Sequence, residues 1–162
     1  MKQTPALFIG ILFLISCSGS SKTSKPVDKF DFTLESLNRD KVTLSAQKGK
    51  VVILDFWTTW CPPCSVAIPK LIKLYDKYQD KGLLVLGIAL DDKDKVIKKS
   101  RSMRINYPVL FGDNTISQNY EIISIPTLVL FDQKGKQVYR IVGFSEESFQ
   151  LIEEKVIELL RE

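Results

Sequence analysis

Residues 51–64 read Val-Val-Ile-Leu-Asp-Phe-Trp-Thr-Thr-Trp-Cys-Pro-Pro-Cys, an apolar run that leads into two cysteines separated by two prolines. The run at 51–56 is rich in β-branched residues and almost continuously apolar, which is typical of a central strand covered on both faces. A helical pattern of apolar residues then continues to Gly82, and a second apolar run occupies residues 83–90. Strand, helix and strand in this order predict a parallel, right-handed βαβ unit.

The two cysteines stand where the predicted strand turns into the predicted helix. With two residues between them they can form a disulfide only within a tight local turn. The first sulfur then lies over the free backbone N–H groups of the helix start, which stabilise negative charge. Because the thiolate is the attacking species in disulfide exchange, Cys61 is predicted to be the nucleophile and Cys64 its resolving partner.

A Cys-X-X-Cys pair can also be half of a zinc site or a structural disulfide. A zinc site needs two further ligands, whereas the chain has no histidine and a single other cysteine, Cys17. A structural disulfide across two residues closes a very small loop and restrains the unfolded chain little. Redox chemistry is therefore the favoured function, and we expect neither a metal nor a separate cofactor.

Composition limits the remaining function classes. The chain has 162 residues, of which 44% are hydrophobic and 26% charged, as expected for one globular domain. Its net charge of +4 is spread out, without a basic stripe interleaved with aromatic residues, so nucleic-acid binding is not expected. The absence of histidine excludes Ser-His and Cys-His catalysis.

The N-terminal segment has the pattern of an export signal. Lys2 precedes an apolar stretch at residues 6–15, which is too short to span a bilayer and has the length of a signal-peptide core. The stretch ends with Leu-Ile-Ser-Cys at 14–17, which resembles the lipobox of bacterial lipoproteins, where the cysteine is lipidated and becomes the first residue. The alternative is an ordinary secretory signal with a chance cysteine.

These features predict three regions. Residues 1–16 form a lipoprotein signal peptide, 17–26 form a flexible polar tether anchored by a lipid on Cys17, and 27–162 form the globular domain. We therefore expect an exported, membrane-anchored lipoprotein that faces the periplasm or another extracytoplasmic space. Lipidation of Cys17 would also leave Cys61 and Cys64 as the two thiols of the mature chain.

The rest of the chain predicts an α/β fold with a central mixed sheet flanked by helices. Alternating residues predict an N-terminal β-hairpin at 30–44 and a second hairpin at 127–142, and Ser145 opens a last helix. Between the βαβ and ββα units lies an insert at 91–120, with a charged surface helix, a short extended segment and another short helix. A CxxC pair at the first helix of this arrangement indicates a thioredoxin-like fold.

Residues 54–64 resemble the active-site strand and turn of thioredoxin-fold proteins. The front hairpin, the insert and Ser-Ile-Pro-Thr at 124–127 are similar to the TlpA/ResA-like group, and the resemblance covers roughly residues 27–160. Proteins of this group are membrane-anchored, extracytoplasmic thiol–disulfide oxidoreductases. The resemblance therefore implies that Cys61 and Cys64 form a redox disulfide.

The resemblance also implies a cis bond before Pro126, which would leave the Ile125 backbone free to pair with an extended substrate segment. An ordinary trans proline that starts a strand is the alternative. The substrate-binding surface would then consist of Ile125 and Pro126 together with three residues of the cysteine turn: Trp60, Pro62 and Pro63. Trp57 either shields the sulfurs or belongs to the core, and Tyr107 and Tyr120 are interpreted as packing residues.

Asp55 matches the acid that takes the proton of the second cysteine in thioredoxins. It lies within an apolar run, so burial is expected to raise its pKa, unless it is a solvated carboxylate at the end of the strand. Two departures from the family concern its surroundings. The strand at 83–90 has no lysine, whereas thioredoxins have one near this acid, and Ala67 stands where some ResA-like proteins carry a glutamate.

The predicted function is reduction of disulfides in exported proteins, with apocytochrome c as the substrate that the resemblance suggests and a membrane thiol-reductase as electron donor. Pro62 lacks an N–H that could donate to the Cys61 sulfur, and a less stabilised thiolate favours a reductant.

A peroxiredoxin-like thiol peroxidase is the first alternative; Thr58 fits its motif, but Leu54 stands where that motif has proline. A Sco-like copper-binding module, the second, needs a wider cysteine spacing and a histidine.

Overall fold

The apolar run before the cysteines is the central strand of the sheet. In the computed structural model, which describes residues 29–162, strand β3 (Val51–Trp57) has seven side chains and all are buried. It pairs in parallel with β4 (Leu83–Ala89), which is also wholly buried, and antiparallel with β6 (Thr127–Phe131). A strand without a polar face has to be covered on both sides, and these partners saturate both of its edges.

Several predictions on the N-terminal region lie outside the described residues. These are the signal peptide at 1–16, lipidation of Cys17, the tether at 17–26, and the first two residues of the domain predicted at 27–162. Within residues 29–162, no helix is long and apolar enough to cross a lipid bilayer.

Two further strands complete a five-stranded mixed sheet in the order β5-β4-β3-β6-β7. Strand β5 (Val109–Phe111) is parallel to β4, and β7 (Gln137–Val142) is antiparallel to β6. The predicted front hairpin consists of β1 (Thr33–Glu35) and β2 (Lys41–Thr43) and forms a separate two-stranded sheet. The α/β fold is confirmed, and the insert contributes a strand to the sheet as well as its helices.

In the described part of the chain, four helices flank the sheet: α1 (Pro62–Tyr78), α2 (Lys93–Met103), α3 (Asn114–Asn119) and α4 (Glu146–Leu159). The predicted first helix ran to Gly82, whereas α1 ends at Tyr78 and a 3₁₀ turn occupies Gln79–Lys81. Gly82 follows with a φ of 104°, a left-handed conformation that glycine adopts without steric cost, and this ends the helical segment. Ser145 caps α4 as predicted, through reciprocal hydrogen bonds with Ser148.

The sheet separates two apolar layers. The odd-numbered side chains of β3 pack with α1, α2 and α4, and we call this side the α1 layer. The even-numbered side chains pack with α3, Tyr120 and the front hairpin, and this side is the α3 layer. Because successive side chains of a strand point to opposite faces, Asp55 lies in the α1 layer between Ile53 and Trp57. Both cysteines belong to the same layer.

The packing of α4 on the sheet can be tested with neighbouring residues. Ile152 is fully buried, whereas the adjacent Leu151 is 46% exposed. We expect Ile152→Ala to reduce the free energy of unfolding by about 2–5 kcal/mol, because it leaves a cavity in the α1 layer. Leu151→Ala should change it by less than about 0.5 kcal/mol. Urea unfolding of the oxidised protein measures both, and equal losses would contradict the assigned helix face.

Candidate active site

The cysteine pair is a disulfide at the first turn of α1, with its Cα atoms 5.3 Å apart. Cys61 is the N-cap residue, and its Sγ accepts a hydrogen bond from the Cys64 N–H at 3.1 Å. Pro62 and Pro63 are the first two helical residues and have no N–H to donate. The sulfur therefore lies at the helix start, as predicted, but only one of the first three helical positions offers it a donor.

The disulfide is buried, while its neighbours in the turn reach solvent. Cys61 and Cys64 are 4% and 1% exposed, whereas Pro62 and Pro63 are exposed and the Trp60 side chain is 70% exposed. An exposed apolar rim around a buried disulfide can contact an incoming protein surface before the sulfurs react.

A contact that sequence reasoning missed holds the turn before Trp60. The backbone N–H of Thr59 donates to Asp91 Oδ2 at 3.2 Å, and the Thr59 hydroxyl binds the same oxygen. The hydroxyl bond is the main reason why the pKa of Asp91 is lowered. The sequence indicated this contact only through the positions of the two residues, since Thr59 and Asp91 each follow one of the two apolar runs. Parallel neighbouring strands end at the same edge of a sheet, so residues that follow them lie close together.

Asp55 is fully buried, so the alternative of a solvated carboxylate is wrong. Its Oδ2 accepts a hydrogen bond from the Tyr107 hydroxyl at 3.3 Å, and its Oδ1 has no hydrogen-bond partner in the described part of the chain. Burial raises the pKa of Asp55 to about 7, although the bond from Tyr107 acts in the opposite direction. The predicted rise in pKa is confirmed, and the carboxyl group can both accept and release a proton near neutral pH.

Two aromatic residues beside Asp55 complete the α1 layer. Trp57 is fully buried in the same cluster as the cysteines, and this makes it a core residue. Tyr107 is also buried, but its interpretation as a packing residue was incomplete because its hydroxyl binds Asp55. Tyr120 packs in the α3 layer, in contact with Phe30 and Phe56.

The Ile125–Pro126 peptide bond is cis, so the alternative of a trans proline is wrong. Pro126 is buried and directly precedes β6, and its carbonyl accepts a hydrogen bond from the Gly143 N–H at 2.7 Å. Ile125 is half-buried and packs against the cluster that contains both cysteines. The structure thus brings the cis-proline segment to the layer that holds the disulfide.

Residues 27–140 match the AhpC/TSA family. The thiol–disulfide oxidoreductase ResA of Bacillus subtilis is 31% identical in an alignment that covers 91% of this chain and 91% of that protein. ResA of Bacillus cereus is 31% identical in an alignment that covers 88% of this chain and 91% of that protein. The chain is a ResA-like member of the AhpC/TSA family. It is a thiol–disulfide oxidoreductase, and it exchanges electrons with disulfide-containing substrates and a redox partner.

Solved structures place this ResA-like protein among thioredoxin-fold proteins. A protein assigned as the thiol:disulfide interchange protein DsbE of Chlorobium tepidum is 30% identical with a TM-score of 0.76, and the match covers 80% of this chain and 93% of that one. A protein assigned as a disulfide isomerase of Bacteroides thetaiotaomicron gives 30% identity and a TM-score of 0.76, and the match covers 82% of this chain and 87% of that one.

Across residues 29–162, no three His, Cys, Asp or Glu side chains are grouped as a metal site would require.

The burial of Asp55 predicts how stability depends on pH. Its pKa is raised from 3.8 to about 7 in the folded protein, so in that range the folded state holds a proton that the unfolded state releases. Relative to Asp55→Asn, the wild type should lose roughly 4 kcal/mol of unfolding free energy between about pH 4 and about pH 8. Urea unfolding of both oxidised proteins at the two pH values measures this change, and a difference that does not vary with pH would contradict the assignment.

Proposed function

We propose that the protein is an extracytoplasmic protein-disulfide reductase. The observation that carries this direction is that, among the described residues, one N–H donates to Cys61 Sγ, that of Cys64. A helix start normally offers several N–H groups to an anionic N-cap group, but positions 62 and 63 are prolines. A thiolate with fewer donors is less stabilised, and a dithiol whose reduced form is less stabilised gives up its electrons more readily.

In the proposed reaction, the Cys61 thiolate attacks one sulfur of a substrate disulfide. This forms a mixed disulfide and releases the second substrate sulfur as a thiolate, which takes a proton from solvent. Cys64 then transfers its proton to Asp55, directly or through water, and its thiolate attacks Cys61 Sγ. The Cys61–Cys64 bond forms, the bond from Cys61 to the substrate breaks, and two electrons have passed to the substrate.

Five residues are proposed to bind the substrate chain. The exposed side chains of Trp60, Pro62 and Pro63 offer it an apolar surface beside the disulfide. Ile125 and Pro126 directly precede β6, and Ile125 packs beside the layer of the disulfide, where its backbone would pair with an extended segment of the substrate. Such main-chain pairing depends little on the substrate's sequence, which suits an enzyme that acts on several proteins.

The proposed location is the outer side of a membrane, and it rests on the N-terminal sequence. Residues 1–16 would be removed as a signal peptide, Cys17 would carry the lipid, and 17–26 would tether the domain formed by 27–162. Exported proteins with disulfides, apocytochrome c among them, would be substrates. A membrane thiol-reductase would return electrons to the oxidised pair.

A thiol peroxidase is a second candidate, because Thr58 lies three residues before Cys61 and its hydroxyl is buried with no partner in the described chain. Leu54 occupies the position where the peroxidase motif has proline. Consumption of hydrogen peroxide by the reduced protein, at a rate that matches its reduction of a disulfide substrate, would favour this candidate.

The direction of electron flow can be tested by the reduction potential of the Cys61/Cys64 pair. We expect a value well below about −200 mV, whereas a value near about −120 mV is typical of an oxidant and would contradict the proposal. Pro63→Ala restores the N–H of the second helical position, from which an N-cap side chain can accept a hydrogen bond, and should raise the potential by about 30 mV or more. Pro69→Ala, a proline substitution further along α1, is the matched control and should leave the potential unchanged. Equilibration with glutathione or dithiothreitol buffers gives all three values.

The lipid anchor can be tested separately through Cys17. We expect Cys17→Ser to abolish lipid attachment, so that most of the protein moves from the membrane fraction to the soluble extracytoplasmic fraction. The reduction potential should stay the same, since Cys17 is not part of the redox pair. Cell fractionation and mass spectrometry of the mature N-terminus provide the measurement. Retention of the serine variant in the membrane would mean that another part of the chain anchors it.

A further inference from the structure

Gly87 of β4 lies directly opposite Asp55 in the parallel register of the sheet. A Cβ atom at this position would lie 3.2 Å from Tyr107 Cε2 and 3.2 Å from Trp57 Nε1. These distances are tighter than ordinary van der Waals contacts, so the two rings occupy the space that a side chain would need. A Cβ atom at position 87 would therefore force the Tyr107 or Trp57 ring beside the buried acid to shift by a few tenths of an ångström.

Three contacts fix the Tyr107 ring in this place. The Gly87 N–H donates to the carbonyl of Pro108 at 2.9 Å, which attaches the residue after Tyr107 to the same glycine. The Tyr75 ring of α1 meets the Tyr107 ring edge-on, with centroids 6.2 Å apart and an interplanar angle of 83°. The Tyr107 hydroxyl donates a hydrogen bond to Asp55 Oδ2 at 3.3 Å, so the orientation of the ring determines which of the two carboxyl oxygens accepts this bond.

No second acidic or basic side chain is buried with Asp55: in the described part of the chain, Asp55 is the one buried residue among Asp, Glu, Lys and Arg. Helix α1 contributes Cys64 and the partly buried Tyr75 to this layer. Tyr78 lies further along the same helix, and its hydroxyl donates a hydrogen bond to Glu153. Helix α4 contributes apolar side chains, and β6 places Leu128 opposite Asp55. Tyr139 borders the layer from β7.

We propose that Tyr107, held in place by Gly87, is the positioning residue for Asp55 and sets the pH range in which Asp55 accepts the proton of Cys64. This inference rests on the proposed role of Asp55 as the proton acceptor. The strand beside Asp55 has no lysine, and a tyrosine from the insert provides the hydrogen bond instead. A neutral donor stabilises the carboxylate less than a cation does. The carboxyl group is therefore neither permanently charged nor permanently neutral near pH 7.

The inference concerns the second step of the reaction. The S–H bond of Cys64 breaks and its proton goes to Asp55, while the electron pair left on sulfur forms the bond to Cys61 Sγ. The substrate sulfur leaves with the electron pair of the bond that it shared with Cys61. Tyr107 donates its hydrogen bond to Oδ2, so Oδ1, which has no partner in the described residues, is the oxygen that can take the proton.

Tyr107→Phe tests the inference, with Tyr120→Phe as a matched control. Both tyrosines are buried and both donate a hydroxyl hydrogen bond, but Tyr120 donates to the carbonyl of Phe30 in the α3 layer, on the other side of the sheet. Each substitution removes one buried hydroxyl, so a general loss of stability should affect the two variants alike. A change in proton chemistry should appear in Tyr107→Phe alone.

Two measurements are needed. The titration of the Asp55 carboxyl carbon, followed by NMR in the oxidised protein, requires no activity. The second is single-turnover resolution of a mixed disulfide between Cys61 and a cysteine peptide, formed in acid and moved by rapid mixing to values between about pH 5 and about pH 9. Tyr107→Phe should raise both midpoints by about one pH unit. Peptide release at about pH 6 should then be about tenfold slower, and the rates should converge at high pH.

Gly87→Ala provides a second variant that keeps the Tyr107 hydroxyl, and we expect it to shift both midpoints in the same direction by a smaller amount. If Tyr107→Phe fails to fold, the same two measurements on Gly87→Ala still test the inference. An unchanged Asp55 titration in both variants would overturn the inference. A shifted titration with an unchanged pH–rate profile would overturn the role of Asp55 as proton acceptor, and the inference with it. Failure of the wild type to reduce proteins would contradict the proposed function, but the NMR titration would still show whether Tyr107 controls Asp55.

Discussion

Burial of β3 on both faces is the constraint on which the rest of the structure depends. A strand with seven buried side chains needs a partner along each edge and a layer of apolar residues on each side. The parallel partner β4 requires the crossover helix α1, and the start of that helix is where the cysteines lie. The redox site is therefore a direct consequence of how the chain leaves its central strand.

The same constraint surrounds the acid of the site with apolar groups. Asp55 interrupts a run of apolar side chains, and its burial destabilises the charged form that an exposed carboxyl group would keep. A fully apolar side chain would suit the α1 layer better, so this position departs from what stability alone would favour. Such departures are expected at functional residues, and this one is consistent with the role of proton acceptor that we propose for Asp55.

Local patterns were sufficient to predict most of the fold. The strand, the cysteine turn and the helix cap at Ser145 were inferred from adjacent residues or from short motifs, and each is present. The cis bond at Pro126 is also present, but it was expected from the resemblance to the TlpA/ResA-like group. The contacts of Tyr107 with Asp55 and of Asp91 with Thr59 join residues more than 30 positions apart. Such contacts depend on strand register and on the path of the insert, which hydrophobic periodicity does not specify. Tyr107 was therefore interpreted as a packing residue, although its ring was correctly expected to be buried.

The front hairpin also changes which edges of the sheet are accessible. Strand β5 has three residues, and its outer side is bonded by the hairpin: Ser36 forms a bridge with Leu110, and the Leu37 N–H donates to the Val109 carbonyl. An uncovered edge strand is a template on which another chain can add a strand and begin to aggregate. The opposite edge, β7, pairs with β6 through a register shift and carries Arg140, and both features discourage such addition. Both edges of the sheet are thereby protected from pairing with strands of other protein chains.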